Sequence, residues 1–168
     1  MSGDARRPPF RILMVCMGNI CRSPTAEGVL RHKLQAAGLD GLVEVDSAGT
    51  HRYHVGNPPD ERSQRHALRR GIDLSAQRAR EVVDADFERF DLLLAMDWDN
   101  LALLEDACPH PRFKPRLRRL MEYAPAAGTE IVPDPYSGGA AGFERVLDLV
   151  ELACEGLLDD LSRTLGSR

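Results

Sequence analysis

The sequence predicts an α/β protein: a small, doubly wound, four-stranded parallel sheet with helices on both faces, in a single domain. Short apolar runs alternate with segments of helical periodicity, which is the pattern of parallel strands connected through helices. The 168 residues suit one domain with a sizeable core, and they contain no internal repeat and no low-complexity linker. We expect a flexible leader over residues 1–9 and the domain over residues 10–168.

Four strands are predicted from apolar and β-branched runs. The first leads directly into a loop, the second alternates apolar and polar residues, and the third is a continuous apolar run typical of a strand buried on both faces. The fourth is the weakest. In chain order they cover residues 12–15, 42–45, 92–95 and 115–120. A polar loop is expected over residues 46–50, and ligands should bind beyond the carboxyl ends of the strands.

Capping residues and glycines set the predicted helix ends. Ser23 is expected to cap the first helix, with Pro24 in its first turn. Pro59 lies near the start of the second helix and Gly71 ends it, and Asp99 is expected to cap a later one. The last helix carries a long apolar stripe. The predicted helices cover residues 25–35, 59–70, 99–106 and 141–165, with a helical turn over residues 84–87.

The loop between the first strand and the first helix begins with Cys16 and ends with Arg22. Backbone N–H groups and the dipole at a helix N-terminus favour an anion there. A cysteine in this position beside an arginine is expected to be a thiolate, the nucleophilic form. The Arg22 fork matches two oxygens of a phosphate, Gly18 lets the backbone curl, and Ser23 can donate to the sulfur. The alternative is that Cys16 is a small buried hydrophobe.

This loop resembles the signature of the low-molecular-weight protein tyrosine phosphatases, V-C-x-G-N-[IS]-C-R-S-P, and every defined position is matched. The matching run is Val15-Cys16-Met17-Gly18-Asn19-Ile20-Cys21-Arg22-Ser23-Pro24. The resemblance covers nearly the whole chain and includes residues 46–50, 56–60 and 134–136. It implies the sheet order 2-1-3-4. It also implies a metal-independent enzyme without a cofactor, which hydrolyses phosphotyrosine and aryl phosphates through a phosphocysteine.

The resemblance also implies roles for individual residues. Asp134, in the run Asp134-Pro135-Tyr136, would protonate the leaving oxygen and then activate water, although Asp before Pro is also common turn chemistry. Tyr53 and Tyr136 would enclose a phenyl ring; the alternatives are surface exposure for Tyr53 and core packing for Tyr136. Cys16 and Arg22 would be catalytic with Asp134. The phosphate would be bound by Met17, Gly18, Asn19, Ile20, Cys21, Arg22 and Ser23.

A polar network is expected to support the loop. In the family Asn19 is held by serines that match Ser23 and Ser47. Gln77 stands where bacterial members often carry a histidine, and Ser137 where many relatives have a second aromatic residue. Glutamine can still donate and accept hydrogen bonds, so the effect of Gln77 on the network is left open.

Cys21 has two readings. It is either a small residue packed under the loop or a redox partner of Cys16, because a neighbouring thiol could trap a sulfenic acid as a disulfide. Cys108 and Cys154 are interpreted as ordinary residues. The five histidines show no metal-ligand spacing and are interpreted as surface or structural.

Composition excludes several classes of function. The net charge of −4 gives no nucleic-acid signature, and no run reaches the ~18 apolar residues of a membrane span. Residues 1–9 lack the apolar segment of a secretory signal. The cysteine spacing is not that of a zinc site, and the chain is too long and too rich in apolar residues to need stabilising disulfides. We therefore expect a reduced, cytoplasmic protein.

The expected partner is a phosphotyrosine-containing protein, with tyrosine kinases as one candidate class, and inorganic phosphate or vanadate is expected to inhibit. The first alternative is an arsenate reductase on the same fold, which needs a resolving cysteine pair; residues 80–91 contain no cysteine. The second alternative is a non-catalytic phosphotyrosine-binding module. That reading predicts loss of Cys16 or Asp134, and both are present.

Overall fold

The computed structural model describes residues 8–166, apart from the side chain of Ser137. Positions 1–7 of the predicted leader lie outside these described residues, and so does the Ser137 side chain that departs from the family pattern. The remaining predicted elements all fall within the described range.

One sheet holds four parallel strands in the order β2-β1-β3-β4. This confirms the predicted fold class and the order that the resemblance implies. The strands are β1 (Phe10–Cys16), β2 (Val43–Gly49), β3 (Leu92–Ala95) and β4 (Leu117–Arg119). The fourth predicted strand is therefore real but short, and a turn of 3-10 helix follows it.

Within residues 8–166, five α-helices connect and cover the strands. They are α1 (Arg22–Ala36), α2 (Glu61–Leu68), α3 (Asp84–Arg89), α4 (Trp98–Ala107) and α5 (Gly139–Gly166). Short 3-10 segments occupy Pro111–Arg116, Leu120–Tyr123, Pro125–Ala127 and Pro135–Ser137. None of the helices within residues 8–166 has both the length and the apolarity to cross a membrane.

The central strand β1 packs on both faces. Ile12 and Met14 belong to a core cluster with α1 and α5, whereas Leu13 and Val15 belong to a second cluster with α3 and α4. All four side chains are fully buried. Successive side chains of a strand point to opposite faces, so a continuous apolar run is what a strand covered on both sides requires.

The predicted end of β2 at residue 45 is wrong. The strand continues through the expected polar loop to Gly49, which pairs with Cys16 at the end of β1. A Cβ on Gly49 would lie 2.7 Å from the Met17 carbonyl oxygen. Glycine therefore lets the end of β2 pass directly beside the loop that follows Cys16.

Three predicted helix starts are also wrong by a few residues. The N-cap of α1 is Cys21 rather than Ser23. Asp97, not Asp99, caps α4 by accepting the Asn100 backbone N–H at 2.7 Å. Asp60 caps α2, so the helix begins at Glu61, two residues later than the predicted start at Pro59. Two of these N-cap residues, Cys21 and Asp97, also belong to the site described next.

Candidate active site

Cys16 lies at the base of a loop between β1 and α1, with only 3% of its surface exposed. The Asn19 backbone N–H donates to Cys16 Sγ at 3.3 Å, and Ser23 Oγ lies 3.0 Å from the same sulfur. Asn19 has a φ of 57°, and this left-handed conformation turns the loop back over the sulfur. Two donors thus converge on the atom that would carry negative charge as a thiolate.

The structure brings Asn19, Ser23 and Ser47 together, as the resemblance implies. The Asn19 amide donates to Ser23 Oγ at 2.8 Å and to Ser47 Oγ at 2.9 Å. Its Oδ1 accepts from the Arg80 backbone N–H at 3.0 Å. With all three contacts made, the side chain can hold its own strained backbone in place.

A buried carboxylate continues this network. Ser47 donates to Glu27 at 2.6 Å, and Arg31 bonds the other Glu27 oxygen at 2.6 Å. Burial raises the pKa of Glu27, against the opposing effect of Ser47 and Arg31. The network therefore runs from the loop to the solvent-exposed side of α1.

Gln77 does not take part in the hydrogen-bond network around Asn19. Its amide donates to the Pro24 carbonyl at 3.0 Å, and its Oε1 is buried without a partner among the described residues. Arg80 supplies the contact to Asn19 from its main chain, so the departure at Gln77 leaves the loop support complete.

Arg22 is buried and fixed from one side. Its Nη1 donates to Asp97 Oδ2 at 2.7 Å and to the Val132 carbonyl at 3.1 Å. Within residues 8–166, Nε and Nη2 have no protein acceptor, and they can therefore donate to two oxygens of a bound oxyanion. Asp97 fixes the orientation of this fork while it caps α4.

Asp134 sits on a loop anchored at both the sheet and Arg22. The Val132 N–H donates to the Met96 carbonyl at 2.7 Å, and the Val132 carbonyl accepts from Arg22. Asp134 Oδ1 accepts the Tyr136 N–H at 3.0 Å and caps the 3-10 turn Pro135–Ser137. The turn chemistry predicted as an alternative is thus present, and it holds the carboxyl group at the pocket.

These groups share one pocket of about 90 Å³. Tyr53 and Tyr136 form part of its wall, with 75% and 49% of their surfaces exposed. Tyr53 stacks on His51 with ring centroids 5.3 Å apart. The pocket is lined by Cys16, Met17, Gly18, Ile20, Cys21, Arg22, Tyr53, His54, Asp134 and Tyr136.

Cys21 also lines the pocket, but its thiol faces Ser63, Asp60 and Tyr136. Burial, with a smaller contribution from the Asp60 carboxylate, raises the pKa of Cys21 to about 11. It is therefore a neutral thiol at physiological pH. Burial, reinforced by this neighbouring thiol, likewise raises the pKa of Tyr136.

Sequence reasoning missed three contributors. Asp97 had no predicted role, although a carboxylate directly after a buried strand was an available signal. His54 was interpreted as surface or structural, yet it lines the pocket against Gly18, where an added Cβ would approach its ring within 2.9 Å. The third is the Arg80 backbone N–H that bonds Asn19, and no local sequence pattern indicated this contact.

Fold and site together define a loop whose geometry can bind an oxyanion, with a cysteine at its base, on a doubly wound sheet. The family model for low molecular weight phosphotyrosine protein phosphatases matches residues 11–166. The chain belongs to this family, whose members are protein tyrosine phosphatases, and it is therefore an enzyme of that class.

Individual relatives cover almost the full length. A putative low molecular weight protein-tyrosine-phosphatase from Synechocystis is 43% identical over 93% of this chain and 99% of its own. A crystal structure of an Entamoeba histolytica protein tyrosine phosphatase has a TM-score of 0.89 at 41% identity, covering 92% of this chain and 98% of that one. A Drosophila structure described as an arginine phosphatase has a TM-score of 0.82 at 34% identity, covering 89% and 96%.

Proposed function

We propose that this chain hydrolyses phosphotyrosine in proteins through a phosphocysteine on Cys16, without a metal or cofactor. The observation that carries the proposal is the shared pocket, in which a buried sulfur, the free donors of Arg22 and the Asp134 carboxyl group surround a space of phosphate size. The nucleophile, the charge clamp and the proton donor are then all protein groups.

In the first step the phosphate sits in the loop, held by backbone N–H groups and by Arg22. The Cys16 thiolate attacks phosphorus, so the S–P bond forms while the P–O bond to the tyrosine breaks. Asp134 gives its proton to the leaving oxygen. Arg22 stabilises the charge on the transferring group, and Asp97 keeps its fork in line.

The second step regenerates the enzyme. The Asp134 carboxylate takes a proton from water, and the water oxygen attacks phosphorus. The S–P bond breaks, and the electron pair returns to the Cys16 sulfur, where Ser23 and the Asn19 N–H stabilise the thiolate as it leaves. Inorganic phosphate departs and Asp134 is again protonated.

The pocket wall supports an aryl ester as substrate. Tyr53 and Tyr136 offer aromatic surface beside the phosphate site, where a phenyl ring gains from stacking and area burial. Tyrosine kinases are one candidate class of phosphoprotein substrate, and phosphate or vanadate should compete for the loop. All four cysteines are free, and the thiolate chemistry requires that Cys16 stay reduced, so we propose a cytoplasmic setting.

The comparisons do not support the arsenate reductase alternative. A resolving pair beyond Cys16 would need at least one of Cys108 and Cys154 in addition to Cys21, and Cys154 is fully buried in α5. Burial raises the pKa of Cys154 to about 12, so it remains an unreactive thiol.

The test compares three reactions of one preparation: hydrolysis of a phosphotyrosine peptide in EDTA, hydrolysis of a phosphoarginine peptide of the same sequence, and thiol-dependent arsenate reduction. Phosphoarginine is included because of the Drosophila relative. We expect the phosphotyrosine peptide to be hydrolysed fastest, with no arsenate reduction. Preference for phosphoarginine, or arsenate reduction without phosphatase activity, would contradict the proposal.

A further inference from the structure

Arg62 of α2 lies between two aromatic rings at the edge of the pocket. Its guanidinium carbon is 5.1 Å from the centroid of Tyr136 and 4.8 Å from that of Phe143. Phe143 is buried, and on it His66 stacks with centroids 5.6 Å apart and nearly parallel planes. A cation within about 6 Å of an aromatic centroid is attracted by the ring, so Arg62 links the exposed Tyr136 to a buried aromatic pair.

Asp60 fixes the direction of Arg62. Its carboxylate accepts from Arg62 Nε at 3.3 Å and from Nη2 at 3.1 Å. The Asp60 backbone N–H donates to the Ile20 carbonyl of the phosphate loop at 2.8 Å. The guanidinium is thus oriented from the phosphate loop itself and reaches across to the loop that carries Asp134.

Side-chain contacts hold the helix that carries Arg62. Glu144 of α5 bonds both His66 of α2 and Arg70, which follows the end of α2, the latter at 2.6 Å. These contacts fasten α2 to α5 around Phe143. The Tyr136 side chain is less enclosed. About half of its surface is exposed, the Arg62 guanidinium lies over its ring, and the Cys21 thiol lies beside its hydroxyl group.

We propose that Arg62 is a positioning residue that holds the Tyr136 ring as a wall of the pocket. It sets the affinity for the aromatic part of a ligand and leaves the affinity for the phosphate group unchanged. The inference rests on the proposed function, because it assigns a specificity element to the same pocket. Arg62 itself is not among the described residues that line the pocket around Cys16.

The experiment measures binding of two ligands by calorimetry: inorganic phosphate, which has no ring, and benzylphosphonate, which has one and is not hydrolysed. In Arg62→Met we expect about three- to tenfold weaker benzylphosphonate binding, the range of one cation–π contact. Phosphate binding should stay within about twofold, since the donors of Arg22 are untouched. Arg62→Lys should recover part of the loss, because an ammonium also binds a ring face.

Two controls separate positioning from a general effect. Arg65→Met removes the same charge from an exposed site on α2 and should change neither affinity. In a Tyr136→Ala background, Arg62→Met should cause no further loss of benzylphosphonate binding. If Arg62→Met weakened the binding of both ligands equally, the positioning role of Arg62 would be overturned. The same holds if Arg62→Met weakened benzylphosphonate binding equally in the Tyr136→Ala background. Neither result would contradict the proposed phosphatase function. Wild-type protein that bound neither ligand would overturn the proposed function and this assignment with it.

Discussion

Asp134→Asn separates proton transfer from the structure of the loop. The asparagine carbonyl oxygen can accept the Tyr136 N–H as Asp134 Oδ1 does at 3.0 Å, and Asn and Asp cap equally well. The substitution therefore removes the transferable proton and little else. A positioned general acid contributes about 10²–10⁴-fold.

The exposure of Asp134 places its expected contribution in the lower part of the range for a general acid. Its side chain is solvent-exposed at the mouth of the pocket, so water can partly replace it as the proton source. We expect kcat/KM with phenyl phosphate to fall about 10²–10³-fold, which is about 3–4 kcal/mol of barrier. The loss of kcat/KM with p-nitrophenyl phosphate should be less than about tenfold, because that leaving group is stable without a proton.

The assay is kcat/KM for wild type and Asp134→Asn across aryl phosphates of increasing phenol pKa, because kcat/KM reports the step that releases the phenol and not the later hydrolysis of the phosphocysteine. The variant should show the steeper dependence of kcat/KM on the leaving group. Identical dependence in both proteins would show that Asp134 is only a turn residue, and another acid would have to be sought.

Three further predictions concern the loop. Cys16→Ser should abolish turnover while phosphate or vanadate binding remains measurable; substantial residual hydrolysis would end the phosphocysteine mechanism. Arg22→Lys should be severely impaired, because an ammonium cannot present a bidentate fork, and near-normal kcat/KM would remove Arg22 as the clamp. Mild peroxide should inactivate reversibly through a Cys16–Cys21 disulfide. Because the Cys21 pKa is raised to about 11, its thiolate fraction and the rate of closure should rise from pH 7 to pH 9; irreversible Cys16 sulfinic acid on peptide mapping would contradict the protective role.

The catalytic loop could be predicted because its physics is local. A buried strand, a short turn with glycine and a helix start place Cys16 and Arg22 within one loop. All of these signals lie in one short stretch of sequence, so they do not depend on contacts with the rest of the chain. The general acid is different. Asp134 could be assigned only through the resemblance, since Asp before Pro is ordinary turn chemistry and the structure shows that it does form the turn.

The errors have physical causes. Ser23 was expected to cap α1, but its hydroxyl is engaged with Cys16 Sγ and the Asn19 amide, inside the first turn. Asp97 and Asp99 are both good caps, and only the extended backbone of Asp97 shows which one precedes α4. β2 extends to Gly49 because β1 supplies a pairing partner. In each of these cases a tertiary contact, rather than the local sequence, decides where the element begins or ends.

The residues that support the site from distant parts of the chain could not be predicted from the sequence either. The Arg80 N–H that holds Asn19 lies 61 positions along the chain. Arg62 belongs to a helix that had no predicted link to Tyr136. Long-range contacts of this kind leave no periodicity or spacing in the sequence, so only the folded structure brings them together.

Chemical trapping of the intermediate tests the central claim most directly. Wild-type enzyme is mixed with excess phosphotyrosine peptide, quenched within the first turnovers and digested under conditions that preserve an S–P bond, with Cys16→Ser as the control. The account predicts a phosphoryl group on the Cys16 peptide of the wild type. A turning-over enzyme with the phosphoryl group on another residue, or with none on Cys16 at any quench time, would contradict it.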